Sequence, residues 1–321
     1  MLLPVTTQDN RNNRDKDMSN PTILITGATG QLGTLAIGAL METVDPSKIA
    51  ALVRPNSDGS DTRVAHLQSF GIVTREGDYD DPASLREAFA GIDRLLFISS
   101  NSFEPRGAQH RNVVDAAKHA GVGFIAYTSI LNAQDTPLQL AIDHRETEAM
   151  LAASGINHVL LRNGWYMENH FLALSNALRD GVIIGAAENG RFSAAMRSDY
   201  AAAGAAVIHP DAETSTRILE LAGDTAYKLH ELAEEMSRQS GKAVRYENMA
   251  PHVFRSALTS HGLPTHLASL LANTDAGAAE GALFNDSGTL AKVIGRPTKN
   301  LAEGLHSTLD SANFDGRPIQ T

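Results

Sequence analysis

The sequence predicts an α/β protein, with a doubly wound parallel sheet in its first half and a smaller α/β lobe after it. Three observations predict this. From Thr22 to about Asn163, short apolar runs alternate with stretches of helical spacing, the pattern of a parallel sheet covered by helices. The first run ends in a glycine triplet. After about residue 164 the alternation loosens into longer helical stretches.

The elements follow in order. Thr22–Thr26 (TILIT) is β-branched, stops at Gly27 and reads as a buried strand. Residues 31–43 have helical spacing. Ile49–Val53 and Ile72–Thr74 are the second and third strands. Pro82 in a first turn opens a helix through Phe89. Leu95–Ile98 is the fourth strand, 108–119 a helix, Phe124–Thr128 the fifth strand, 143–153 a helix and His158–Leu161 the sixth strand. Beyond these, the spacing predicts one helix over 168–180, a strand at Val182–Gly185 and an Ala-rich helix at 198–208. Helices near 229–240 and 252–260 surround a strand at Ala243–Tyr246.

Residues 1–20 are polar and rich in Asn and Asp. They lack the apolar core of about 7–15 residues that a secretory signal needs, and they read as a disordered tail with Met18 as an alternative start. The expected organisation is a tail at 1–20, a sheet domain at 21–165, a smaller substrate lobe at 166–310 with some segments returning to the sheet, and a tail at 311–321. Net charge is −10, which argues against gripping nucleic acid or anionic lipid. No uncharged apolar run is long enough for a membrane span. The absence of cysteine excludes disulfides and thiolate chemistry. The 12 histidines show no metal-binding spacing, so no metal is expected. A cytoplasmic protein is the default expectation, and a homodimer is compatible with the sequence.

Gly27-Ala28-Thr29-Gly30-Gln31-Leu32-Gly33 spells G-x-x-G-x-x-G between a strand and a helix. Gly27 permits the tight turn, Gly30 lets the backbone approach a pyrophosphate, and Gly33 allows close helix–strand packing. The phosphates would rest on free N–H groups opening the helix, those of Gln31 and Leu32 among them. This context turns a weak motif into a Rossmann-type dinucleotide site that includes Thr29.

Where an NAD-preferring fold usually carries an acidic residue at the end of its second strand, this chain has Arg54. A guanidinium clamps a 2′-phosphate that a carboxylate would repel, so NADPH is the expected coenzyme. Asp78 follows the third strand and could accept from the adenine amino group. A helix-capping role is the alternative for Asp80 and Asp81. Ser99 and Ser100 follow the fourth strand, at the edge where ligands lie in such sheets.

Conventional short-chain dehydrogenases relay a proton through a Tyr with a Lys four residues later. None of the six tyrosines here has that Lys. The helix that should carry the pair reads Asp143-His144-Arg145-Glu146-Thr147-Glu148. His144 is a candidate proton or hydrogen-bond donor, with a structural histidine on a half-buried helix as the alternative, while Arg145, Glu146 and Glu148 read as a solvated face. Two functions fit. The acceptor takes hydride without a protein acid, as a quinone or cationic dye can, or the fold senses NADPH without turning it over.

The glycine loop, Val53-Arg54, Gln109-His110-Arg111-Asn112-Val113, Phe124–Ser129, His144-x-x-Thr147-Glu148 and Leu161-Arg162-Asn163-Gly164-Trp165-Tyr166-x-Glu168-Asn169 together resemble the NmrA-like atypical short-chain dehydrogenases. The resemblance is strongest to their NADPH:quinone oxidoreductase branch, with triphenylmethane reductases as near cousins. It runs from about Thr22 to Leu305, with a departure at 55–64. It implies an NADPH-dependent hydride transfer to a quinone-like acceptor. It further implies Asn163 beside the nicotinamide, an acceptor pocket lined by Trp165, Tyr166 and Tyr127, and catalytic positions at His144 and Tyr166. For Trp165 a plain core anchor is the alternative.

Overall fold

The computed structural model describes residues 22–55, 61–102 and 106–311. The expected tail at 1–20, most of that at 311–321, and residues 56–60 of the departing stretch lie outside them.

Strands β1 (Ile23–Ile25), β2 (Ile49–Val53), β3 (Val73–Glu76) and β4 (Arg94–Phe97) alternate with helices α1 (Gln31–Met41), α2 (Thr62–Ser69), α3 (Pro82–Ala88) and α4 (Arg106–Ala120). Next come β5 (Phe124–Ile130), α5 (Ala141–Ser154) and β6 (Asn157–Asn163). The remainder is α6 (Met167–Phe171), α7 (Leu174–Asp180), β7 (Val182–Gly185), α8 (Arg197–Ile208), β8 (Arg217–Leu221), α9 (Leu229–Ser240), β9 (Arg245–Asn248), α10 (Pro251–Ser260), α11 (Thr265–Ala279), α12 (Thr289–Ile294) and α13 (Leu301–Ser311).

Seven strands form one sheet in the order β3-β2-β1-β4-β5-β6-β8. The pairings of β1 with β2 and β4, β2 with β3, and β4 with β5 are all parallel. This is the expected doubly wound Rossmann-type sheet. Ile23, Leu24 and Ile25 are fully buried, as a central strand covered on both faces requires. Strand order reverses between β1 and β4, so the crevice outside their carboxyl ends is the ligand position of such sheets.

The chain divides into two compact units. The first holds the described residues up to Tyr127, with Met150–Val159 and Val207–Thr216. The second holds Thr128–Ala149, Leu160–Ala206 and the chain from Arg217 onward. This partition differs from the expected boundary at 165, because the carboxyl ends of β5 and β6 group with the second unit. In that unit β7 and β9 pair in parallel, Val182 opposite Arg245. A core of Trp165, Met167, Phe171, Phe192, Tyr227 and Leu232, among others, fills it.

Several elements depart from expectation. The helix expected over 168–180 is two helices, α6 and α7. No Gly or Pro marks the break, so periodicity reads straight through it. Strand β9 lies two residues later than expected, because its exposed Arg245 and Glu247 hide an edge strand from a search for apolar runs. Helices α2, α11, α12 and α13 and strand β8 were not anticipated.

Candidate functional site

In the first unit the glycine loop has the backbone a bound phosphate needs. Gly27 takes φ +58°, and its carbonyl accepts from the Gly30 N–H at 3.0 Å. A Cβ at Gly33 would collide with the Gly27 carbonyl and lie 2.8 Å from Ala28 Cα, so only glycine permits this approach. Gly30 is the N-cap of α1 and offers no side-chain cap. The N–H groups of Gln31, Leu32 and Gly33 therefore have no acceptor within the helix, and they stand at its positive end. Thr29 lines a cavity of about 340 Å³ together with Thr34, Thr62, Arg63, His66 and Leu67. Arg63 and His66 were not singled out from the sequence. The available signal was Asp61, whose carboxylate caps α2 by accepting the Arg63 N–H at 2.9 Å.

Arg54 is exposed at the end of β2, and its charge acts on the Tyr79 phenol. Burial pushes that phenol up, so it stays protonated and donates to the Ile98 carbonyl at 2.9 Å. Half-buried Asp78 accepts from the Asp80 N–H at 3.0 Å. Asp81 is the N-cap of α3, the capping role weighed for it. Asp80 instead accepts from Gln109 Nε2 at 2.9 Å. Ser100 is tied to α4 twice: its N–H donates to His110 Nε2 at 2.9 Å and its hydroxyl to Gln109 Oε1 at 2.6 Å. The Gln109-His110 pair thus holds the loop after β4, at the carboxyl edge of the sheet. Ser99 lies half-buried beside it.

Tyr127 corrects an expectation. It has no exposed surface and packs against Phe97 at 5.0 Å and His110 at 5.8 Å. It is a core residue of the first unit, because every side chain of β5 is buried.

Glu148 corrects another. It is buried rather than solvated. Arg162 grips it with two bonds, Nε to Oε1 at 2.9 Å and Nη2 to Oε2 at 2.6 Å. Ser129 and Gln134 donate to the same carboxylate at 2.6 and 3.0 Å. Arg162 also donates to Glu220 at 2.8 Å, and Glu220 accepts from the Asn132 N–H at 2.8 Å. Burial pushes the Glu148 carboxyl up, but Arg162, Ser129 and Gln134 together outweigh it and hold the group low.

This network brackets Asn163. The Asn163 carbonyl accepts from Leu131 N–H at 2.9 Å, and the next residue, Gly164, donates to Leu221 at 2.8 Å. Asn163 is therefore fixed between the ends of β5 and β8. Its Nδ2 donates to Tyr166 Oη at 3.4 Å, while its buried Oδ1 has no partner in the protein. Burial pushes the Tyr166 phenol up, against the Asn163 bond. The Arg197 guanidinium lies 4.9 Å above its ring. Trp165 is only 9% exposed and belongs to the core of the second unit, yet its Nε1 has no partner. It is thus core and site candidate at once. His144 is buried on α5.

Residues 19–309 match the NmrA-like family. The chain belongs to that family. Quinone oxidoreductase 2 of Escherichia coli is 51% identical over 283 residues, covering 88% of this chain and 97% of that protein. An NADPH-dependent quinone oxidoreductase from Escherichia coli, solved with NADPH, superposes with a TM-score of 0.85 at 50% identity, covering 89% of this chain and 99% of the other. The Citrobacter sp. triphenylmethane reductase, solved with NADP(H), gives 0.84 at 33% identity, covering 89% and 100%. Among the described residues no helix is long and apolar enough to cross a membrane, and no cluster could hold a metal ion.

Proposed function

We propose that the chain is an NADPH-dependent oxidoreductase that reduces a quinone-like acceptor. The observation that carries this reading is the 51% identity across 97% of quinone oxidoreductase 2. Two features of the chain fit the coenzyme: a glycine turn so tight that Gly33 has no room for a Cβ against the Gly27 carbonyl, opening onto helix N–H groups without an acceptor in the helix, and a buried Asn163 Oδ1 that lacks a partner. NADPH, when bound, supplies the hydride. The N–H groups of Gln31, Leu32 and Gly33 hold its phosphates, Arg54 takes the 2′-phosphate, and Asp78 and the Ser99–Ser100 turn receive the adenosine and ribose groups. Asn163 accepts from the carboxamide.

Quinone, NADPH and one proton give hydroquinone and NADP⁺. Aromaticity makes the reduced oxygen far less basic than the alkoxide of an ordinary alcohol, so water suffices as the proton source. The missing Tyr–Lys pair is therefore no obstacle. The chain contributes orientation of the coenzyme and the acceptor. Tyr166, kept protonated by burial, acts as a hydrogen-bond donor in the acceptor pocket, and His144 as a second polar group. A cytoplasmic setting belongs to the same reading.

The test mixes purified protein and NADPH with a panel of quinones and follows absorbance at the nicotinamide band. Saturable oxidation is expected. NADPH binding without oxidation by any acceptor would replace the enzyme with a redox sensor.

A further inference from the structure

We propose that His170 and Trp165 form a pair of neutral hydrogen-bond donors for the carbonyl oxygens of the reducible acceptor, a role that rests on the quinone-reductase reading. Trp165 Nε1 and His170 Nε2 are both buried without a partner in the protein. Their rings lie 6.4 Å apart in one aromatic cluster. The His170 ring stands edge-on to Phe192 at 4.7 Å and to Tyr227 at 5.7 Å.

The protonation of His170 follows from its surroundings. Burial pushes the imidazole down to about 3, so it is neutral at physiological pH. Its Nδ1 lies 2.8 Å from Tyr227 Oη. Burial pushes the Tyr227 phenol up, so that hydroxyl keeps its proton and has it to give to Nδ1. The donor pair requires the tautomer in which Tyr227 donates to Nδ1 and the single imidazole proton sits on Nε2. An indole N–H is always a donor. In that tautomer the cluster presents two donors without an acceptor in the protein, although an unmet buried donor is costly.

A ligand that satisfies both must bring acceptor atoms on a flat apolar body. Quinones meet this description, with carbonyl oxygens on a flat ring. Their oxygens gain negative charge as hydride arrives, which strengthens both bonds during the reaction. A cationic dye without oxygen would draw nothing from either donor.

Trp165 is the only tryptophan, so its indole N–H gives one unambiguous NMR resonance. The experiment saturates ¹⁵N-labelled protein with NADP⁺, which cannot donate hydride, and adds menadione or, separately, naphthalene of similar shape. Menadione should move the indole proton downfield, and naphthalene should not. In parallel, His170→Phe should raise the KM for menadione about tenfold, the worth of one hydrogen bond, with the NADPH dissociation constant unchanged. His170→Gln, which keeps an N–H donor, should recover part of the loss. An unmoved indole signal, or an unchanged menadione KM in His170→Phe, overturns the donor pair while quinone turnover by the unsubstituted protein upholds the enzyme. No quinone turnover by the unsubstituted protein overturns both.

Discussion

Replacing Arg162 by Met should destabilise the protein strongly at neutral pH and progressively less in acid. Met keeps most of the aliphatic stem but removes the charge and all three donors to Glu148 and Glu220. The Glu148 side chain is only 5% exposed, so its carboxylate would remain buried with Ser129 and Gln134 as its remaining donors among the described residues. Breaking a buried pair from one side costs about 3–5 kcal/mol, a fall in Tm on the order of 10 °C for a chain of this size. The pH dependence separates this cause from mere loss of packing. In the native protein the folded pKa of Glu148 lies below its ordinary 4.5. Its stabilisation is therefore complete above that value and is lost as pH falls through the folded pKa. Without Arg162, burial dominates and raises the folded pKa, so the variant gains relative stability as pH falls from 7 and Glu148 protonates. Thermal unfolding of both proteins from pH 7.5 to 4.5 should give curves that converge toward acid. Adding Glu148→Gln should restore part of the loss at pH 7. A Tm difference constant with pH, or strictly additive losses in the double variant, would refute the ion-pair account.

Arg54→Asp should raise the KM for NADPH by about 10- to 100-fold, the loss of a charge-assisted bond plus repulsion, and change that for NADH far less. Equal effects on both coenzymes in steady-state kinetics would remove Arg54 from the 2′-phosphate. Gly33→Ala should abolish NADPH binding by calorimetry and cost about 1–3 kcal/mol in urea unfolding, since its Cβ has nowhere to go. Asp275 is pushed up to about 6 by burial, against its bond from Ala186 N–H. Its folded form therefore holds the proton more tightly than the unfolded chain, and stability falls as pH rises from about 4 to 6, by roughly 3 kcal/mol. Asp275→Asn should melt higher than the native protein above pH 6 and match it near pH 4. A lower Tm at pH 8 would count against this.

The sheet was legible because its signal is local. Buried parallel strands such as Ile23–Ile25 and Ile49–Val53 are unbroken apolar runs, and the glycine triplet stands where one of them stops. The second unit was less legible because its strands are short or edge-like. In β9 the alternation of exposed Arg245 and Glu247 carries no apolar run at all. Helix α2 was hidden by its mostly exposed surface, with Leu67 its only buried residue.

The site divides along the same line. Gly27, Gly30, Gly33 and Arg54 could be read because each acts through its own backbone or through its position after a strand. Glu148 could not, because its role depends on Arg162, fourteen residues away, and on Glu220, farther still. Glu148 has the residue type of exposed Glu146, and only its helical register, on the buried face with His144, Thr147 and Leu151, separates the two. Tyr127 failed for the opposite reason. It lies in a stretch shared with the family resemblance, but a strand buried on both faces leaves its ring no path to a ligand. The helix that would carry a Tyr–Lys relay in conventional members here carries an anion committed to Arg162. Its chemistry is spent on fixing the backbone beside Asn163, and proton transfer is left to the acceptor's own low basicity. That exchange explains how the chain can lose the relay and still serve an acceptor that needs only to be held in place.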